Sequence, residues 1–319
     1  VFTSSKNLGS RTRGDWGGVI INGNAPINSC GDVDFCEAQG EGGTGLYGGS
    51  NSEDNSGILK YVRVEFAGTL VSPDNELNGI ALQGVGSGTT LEYIQVHMNA
   101  DDGVEFFGGN VSIKHLVVSG VGDDAIDWTD GWQGNGQFIV LQQHLDAGDN
   151  GIEADNNGEN NTVTPMSNPT LSNMTIIGSG GASSDIGVLL REGTGAFIAN
   201  SLIYGWGDAS IDIDGDATWA NADVGDLLTA GTLVDSDINF KIDNGEPHLV
   251  EDWFYAEDGN AEKGFSLIDP QNQVSPNFLP SEIVNEAIFV DNSFFDDVGF
   301  IGAMGDVDWS AGWTAYPEA

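Results

Sequence analysis

Short aliphatic and β-branched runs alternate along this chain with breaks rich in Gly and Asp, and between about residues 88 and 215 the alternation repeats. Thr90-Leu91-Glu92-Tyr93-Ile94-Gln95-Val96 leads to Asp101-Asp102-Gly103-Val104-Glu105. Ser112-Ile113-Lys114-His115-Leu116-Val117-Val118 leads to Asp123-Asp124-Ala125-Ile126-Asp127, and Phe138-Ile139-Val140-Leu141 to Asp149-Asn150-Gly151-Ile152-Glu153. Two further copies run into Asp185 and Asp208. The first Asp of each copy falls at 101, 123, 149, 185 and 208, giving steps of 22, 26, 36 and 23 residues. A period in the low twenties, built from short runs that cannot bury an apolar face alone, is that of one turn of a parallel β-helix. Leucine-rich repeats have a similar period, but their Leu and Asn pattern is absent. Strand alternation predicts that Leu91 and Tyr93 share one face of the sheet.

The pattern therefore predicts an all-β, right-handed parallel β-helix with long inserted loops and a C-terminal capping segment. Coils are expected over 1–216, with loops near 25–56 and 156–168. Segments 14–23 and 57–68 read as adjoining coils. The chain from 217 to 319 loses the period and reads as a less regular elaboration with a short helix. Its part around Pro270 to Pro280 reads as an extended segment laid over the end of the solenoid to cover strand edges.

Composition sharpens this picture. The 319 residues include 47 Gly but only 9 Pro, which fits many tight turns and no collagen period. Lys and Arg total 9 against 49 Asp and Glu, a formal charge of −40. Such a surface repels nucleic-acid phosphates and anionic membrane, since both are recognised through basic side chains. It suits solvation in salty water, and it suits cation binding. Cys30 and Cys36 are the two cysteines of the chain, and they predict a small loop-closing disulfide in an oxidising compartment. No run of 18 apolar residues occurs, so no membrane-spanning helix is expected. Val1-Phe2-Thr3 reads as the inside of a strand, so further coils are expected before it.

The chemistry concentrates in the repeated acids. Asp101, Asp102, Glu105, Asp123, Asp124, Asp127, Asp149 and Glu153 recur at equivalent offsets, so stacked coils place them roughly 4.8 Å apart. Like charges at that spacing call for protons or cations, and calcium is the expected structural ion for hard oxygen donors outside the cell. Asp and Asn at coil corners also satisfy turn amides, a second use for the same residues. An enzymatic alternative uses Asp123, Asp124 and Asp127 as acid and base carboxylates on a glycosidic bond, or in a lyase. Against it, the four His are scattered at 97, 115, 144 and 248, and few basic groups lie in the repeat. Trp128 and Trp132, with Phe106 and Phe107 a coil earlier, are expected as an exposed stacking platform for sugar rings or, in the plainer reading, as corner filling.

Arg13-Gly14-Asp15-Trp16-Gly17-Gly18-Val19-Ile20-Ile21-Asn22-Gly23-Asn24-Ala25-Pro26 resembles a stretch of large secreted or lipid-anchored β-helix proteins of Bacteroidetes and marine Gammaproteobacteria. Tyr61-Val62-Arg63-Val64-Glu65-Phe66-Ala67-Gly68, Phe300-Ile301-Gly302-Ala303 and Trp309-Ser310-Ala311-Gly312-Trp313-Thr314 are similar to later landmarks of the same proteins. The resemblance implies the fold and export to the cell surface. That family carries no agreed activity, so no catalytic residue is transferred. The function expected is an extracellular, non-enzymatic structural, adhesive or glycan-binding module, with polysaccharide or cell-surface components as partners. A polysaccharide-active enzyme and a self-associating filament subunit are the alternatives.

Overall fold

The structure is a computed structural model that describes residues 1–71, 77–181, 183–243 and 247–318. Its chain winds between two walls of parallel strands. Among the described residues the short-strand wall has seven, in the order Val19–Asn22, Ile80–Gln83, Val104–Phe107, Ile126–Thr129, Ile152–Ala154, Ile186–Leu190 and Ala209–Ile213. The long-strand wall has ten among the same residues, beginning Ile58–Glu65, Thr90–His97, Ile113–Ser119, Asn135–Gln142 and Thr170–Ile177. Each coil adds a strand to each wall, so this is the parallel β-helix that the repeat predicts. Ile80, Val104, Ile126 and Ile152 lie in register, and so do Leu82, Phe106, Trp128 and Ala154. These columns are buried together with Leu91, Ile94, Ile113, Leu116, Ile139 and Leu141 of the long wall.

Four sequence expectations change. Val19–Asn22 and Ile58–Glu65 are the two walls of one coil, not adjoining coils, because each pairs with a strand of the next coil. The coils also continue beyond residue 216. Leu227–Ala230 pairs with Ala196–Ala199, Leu233–Asp235 with Leu202–Tyr204, and Ala261–Glu262 follows. Helix Asp216–Val224 is inserted before these strands and hides the period.

Thirdly, Tyr93 does not share the face of Leu91. Tyr61, Tyr93, His115, Phe138 and Asn173 occupy equivalent positions in five successive long-wall strands, and all five have φ between 56° and 62°. A left-handed residue in a strand inserts an extra step, so the inward positions run Leu91, Ile94, Val96. Such backbone is costly for a residue other than Gly. The outward rings offset the cost by stacking, with centroids 4.5 Å apart for Tyr61 and Tyr93, 4.3 Å for Tyr93 and His115, and 5.0 Å for His115 and Phe138.

The C-terminal segment does not cap the end of the solenoid. It runs as a strap along the outer face of the long wall, where Leu267, Phe278, Ile301 and Met304 cover Val117, Val140, Ile177 and Leu202. Outward amides of the wall hold its carbonyls: Gln142 donates to Pro270 O at 2.7 Å, Asn173 to Phe300 O at 2.8 Å and Gln95 to Ala315 O at 2.9 Å. Trp313 packs edge-on against Tyr93 at 5.8 Å. What covers the last coil are residues 238–243 and 247–254, in which Phe240 bridges Ile211 and helix Val250–Phe254 buries Val250 and Phe254.

The two inserted loops meet. Asn28, fully buried, donates from Nδ2 to Asn156 Oδ1 at 2.8 Å and to Pro165 O at 2.9 Å, and its Oδ1 accepts from Asn157 at 3.1 Å. The disulfide Cys30–Cys36 closes the adjoining turn, as expected. Because Asn28→Ala strands buried partners in both loops, it should cost about 1–3 kcal/mol in chemical denaturation. Faster hydrogen exchange should appear in 156–165, and unchanged stability would show that the junction is wet and weak.

Candidate functional site

The acidic site grows out of the turn that enters each short-wall strand. In Asp102-Gly103-Val104-Glu105 and its copies, the aliphatic residue points inward and the acids before and after it point away from the core. Coil stacking then aligns them. Glu105, Asp127 and Glu153 are direct register partners on successive strands. At the turn, Asp102 Oδ1 accepts the Asp124 amide at 3.0 Å, Asp124 Oδ1 accepts the Asn150 amide at 2.7 Å, and Asn150 Oδ1 accepts the Ile186 amide at 3.2 Å. One oxygen of each acid thus stitches one coil to the next, which is the structural use foreseen for corner acids. Asp149 donates its amide to Asp123 O at 3.2 Å and so carries the outer column.

All eight acids singled out in the sequence meet here. Four overlapping groups, Asp101/Asp102/Asp123, Asp102/Glu105/Asp127, Asp123/Asp124/Asp149 and Asp124/Asp127/Glu153, each bring one oxygen per residue within 4.8 Å of the others. Asp102, Glu105 and Asp124 are buried, and Asp127 Oδ1 is enclosed without a hydrogen-bond partner. Burial first, and neighbouring carboxylates second, push Asp102, Glu105, Asp124 and Asp127 well above the ordinary carboxylate range. Two full charges 4.8 Å apart repel by roughly 3.5 kcal/mol at an effective dielectric near 20, so the ionised ladder is untenable without counter-charge.

Arg191 supplies some at one end. Its guanidinium bonds Glu153 and, through Nε at 2.9 Å, Asp155. Burial still lifts Glu153 to about 7. At the other end stands Glu41, a residue the sequence reading missed, carried in by the loop between Asn22 and Ile58. Asn78 donates to both Glu41, at 3.2 Å, and Glu105. Burial lifts Glu41 to about 7 as well. Asn78 had a legible signal, because Asn78-Gly79-Ile80 copies Asp102-Gly103-Val104 one coil earlier. Glu41 had none, since its place depends on how a Gly-rich loop folds back.

The aromatic platform is corrected. Trp128 and Trp132 are both within the core, at 0% and 1% exposure. Trp132 stacks on Phe106 with centroids 3.9 Å apart and donates to Val111 O at 3.0 Å, while Trp128 donates to Thr194 Oγ1 at 3.0 Å. Trp128 is the register partner of Phe106 and falls on the inward face, so no sugar reaches either ring. The plainer reading, corner filling, is the one the structure supports.

Asp123, Asp124 and Asp127 are brought together. Asp124 is buried and already accepts the Asn150 amide. His97 and His144 lie elsewhere, with ring centroids 6.1 Å apart near the strap, and His115 belongs to the stacked outer column. What the ladder can do chemically is offer closely spaced, water-poor carboxylate oxygens, the donor set that suits a hard divalent ion.

No curated protein and no solved structure matches the chain. A family model described as a pectate-lyase-like beta-helix domain matches residues 1–294. With all the solenoid strands and just over half of the strap inside that match, the chain belongs to the pectate-lyase-like β-helix domain family.

Proposed function

We propose that this protein is an extracellular, non-enzymatic structural or adhesive module whose β-helix is stabilised by calcium bound along the acidic ladder. The observation that carries the reading is the buried oxygen set around Asp102, Glu105, Asp124 and Asp127. It has too much negative charge to be left bare, and Asp127 Oδ1 is enclosed without a partner. Ions there would tie successive coils together and would bridge toward Glu41, so a rigid rod depends on extracellular calcium. The covered last coil argues against a filament built by end-to-end stacking at that end.

A polysaccharide-active enzyme is the second reading, favoured by Arg191 beside Glu153 and Asp155 on the same face. Those carboxylates raise the guanidinium above its already high ordinary value despite burial, so Arg191 is a poor proton acceptor at rest. Equilibrium dialysis against calcium, followed by incubation with acidic and neutral polysaccharides, separates the readings. Calcium retention with unchanged glycans supports the module. Depolymerisation that is lost in Arg191→Ala would replace it with the enzyme.

A further inference from the structure

We propose that Asp212, Asp214 and Asp243 form a second divalent-cation site, separate from the ladder, which fastens the stretch after the last short-wall strand onto the end of the solenoid. Asp212 lies on Ala209–Ile213, in register with Leu189. Leu189 in turn pairs with Glu153, so an apolar residue interrupts the acidic row between the two sites. Two strand spacings, roughly 9–10 Å, separate Asp212 from Glu153, too far for one ion to serve both.

The third ligand comes from the returning chain. Residues 238–241 add a further parallel edge to the wall: Ser210 N–H donates to Ile238 O at 3.1 Å, Ile211 N–H to Asn239 O at 3.0 Å, and Lys241 N–H to Ile211 O at 3.1 Å. Phe240 is the bridge partner of Ile211, so counting along both chains sets Asp243 beside Asp214. Oxygens of Asp212, Asp214 and Asp243 lie within 4.8 Å of one another.

A cluster of acids alone would mean little, but Asp212 adds an independent sign. It is 5% exposed, and its Oδ1 is enclosed without any hydrogen-bond partner. Lys241, the nearest cation in register, is engaged by Asp208. Three hard carboxylates without nitrogen or sulfur donors suit calcium or magnesium rather than a transition metal.

The test uses the full chain with calcium alone as the probe. Native mass spectrometry counts bound ions in the wild type, Asp243→Asn and Asp127→Asn, and hydrogen exchange follows 238–243 with and without calcium. Asp243→Asn should lose one calcium equivalent, and calcium should slow exchange in 238–243 at least tenfold in the wild type but not in this variant. Asp127→Asn should keep that local protection while losing ladder ions, so the two sites fail separately. Asp243 is more accessible than Asp212, which makes its variant the safer one to fold. An unchanged ion count in Asp243→Asn, or exchange in 238–243 indifferent to calcium, overturns the proposal and leaves Lys241 as the neutralising group.

Discussion

Chelating calcium with excess EGTA at neutral pH should lower the unfolding temperature of this protein by about 8–16 °C, from the roughly 4 kcal/mol that a site held at a thousandfold its Kd contributes and roughly 2–4 °C per kcal/mol for a large domain. The effect should reverse on adding calcium back and should not be reproduced by sodium at equal ionic strength, because a monovalent ion screens the ladder without bridging it. It should also depend on pH in a definite direction. Glu41 and Glu153 carry folded pKa values of about 7 against an ordinary 4.5. A raised folded value means that protonation stabilises the fold, with the gain fully present below 4.5 and lost as pH rises through about 7. Protons and bound calcium would thus compete for the same oxygens, and the gap between calcium-loaded protein and protein freed of calcium at neutral pH and dialysed into chelator-free buffer should shrink as pH falls from about 7 toward 4.5. Three histidines act oppositely: desolvation lowers the buried His97 to about 3 and the half-buried His115 and buried His144 to about 4, so acid below 6.5 costs stability through them. They lie away from the ladder and contribute equally with and without calcium, so the difference isolates the carboxylates. A gap that stays constant across this window, or no gap at all, would remove calcium from the account.

Truncating Trp132 to Ala should be nearly as damaging, at about 3–5 kcal/mol in denaturant unfolding. The indole is 1% exposed, lies flat on Phe106 and closes a hydrogen bond to Val111 O. Its loss opens a cavity between coils, unpairs a carbonyl and removes the support of Trp128, 5.7 Å away. A surface platform ring would behave otherwise, with stability moving by about 0.5 kcal/mol or less. A small change in stability together with lost glycan binding would return Trp132 to the surface role that its sequence setting first suggested.

The site was legible where it repeats. Asp102, Asp124 and Asn150 precede an inward aliphatic residue at the same offset, and Glu105, Asp127 and Glu153 follow it, so the period by itself aligned all eight acids. Alignment of this kind is local: once a coil has one length, its neighbour must stack residue on residue. The disulfide was legible because the chain has two cysteines and they lie six residues apart.

What the sequence could not carry lies where distant segments meet. Strand alternation put Tyr93 on the wrong face, since the left-handed step recurring from Tyr61 to Asn173 is stabilised by rings stacking across coils and by a strap some two hundred residues away. The arrival of Glu41 over Asn78 and the return of Asp243 to Asp214 depend on loop paths that no period encodes. The course of 265–318 along the long wall, instead of over its end, was set by where apolar outer positions such as Val117, Val140 and Ile177 needed cover. Sequence alone determined the coil, its hydrophobic columns and its acidic row, because each follows from a short repeat. Tertiary structure decided which faces are dry, which acids lose their water and which segments close over them, because burial is a property of the assembled chain and not of any one coil.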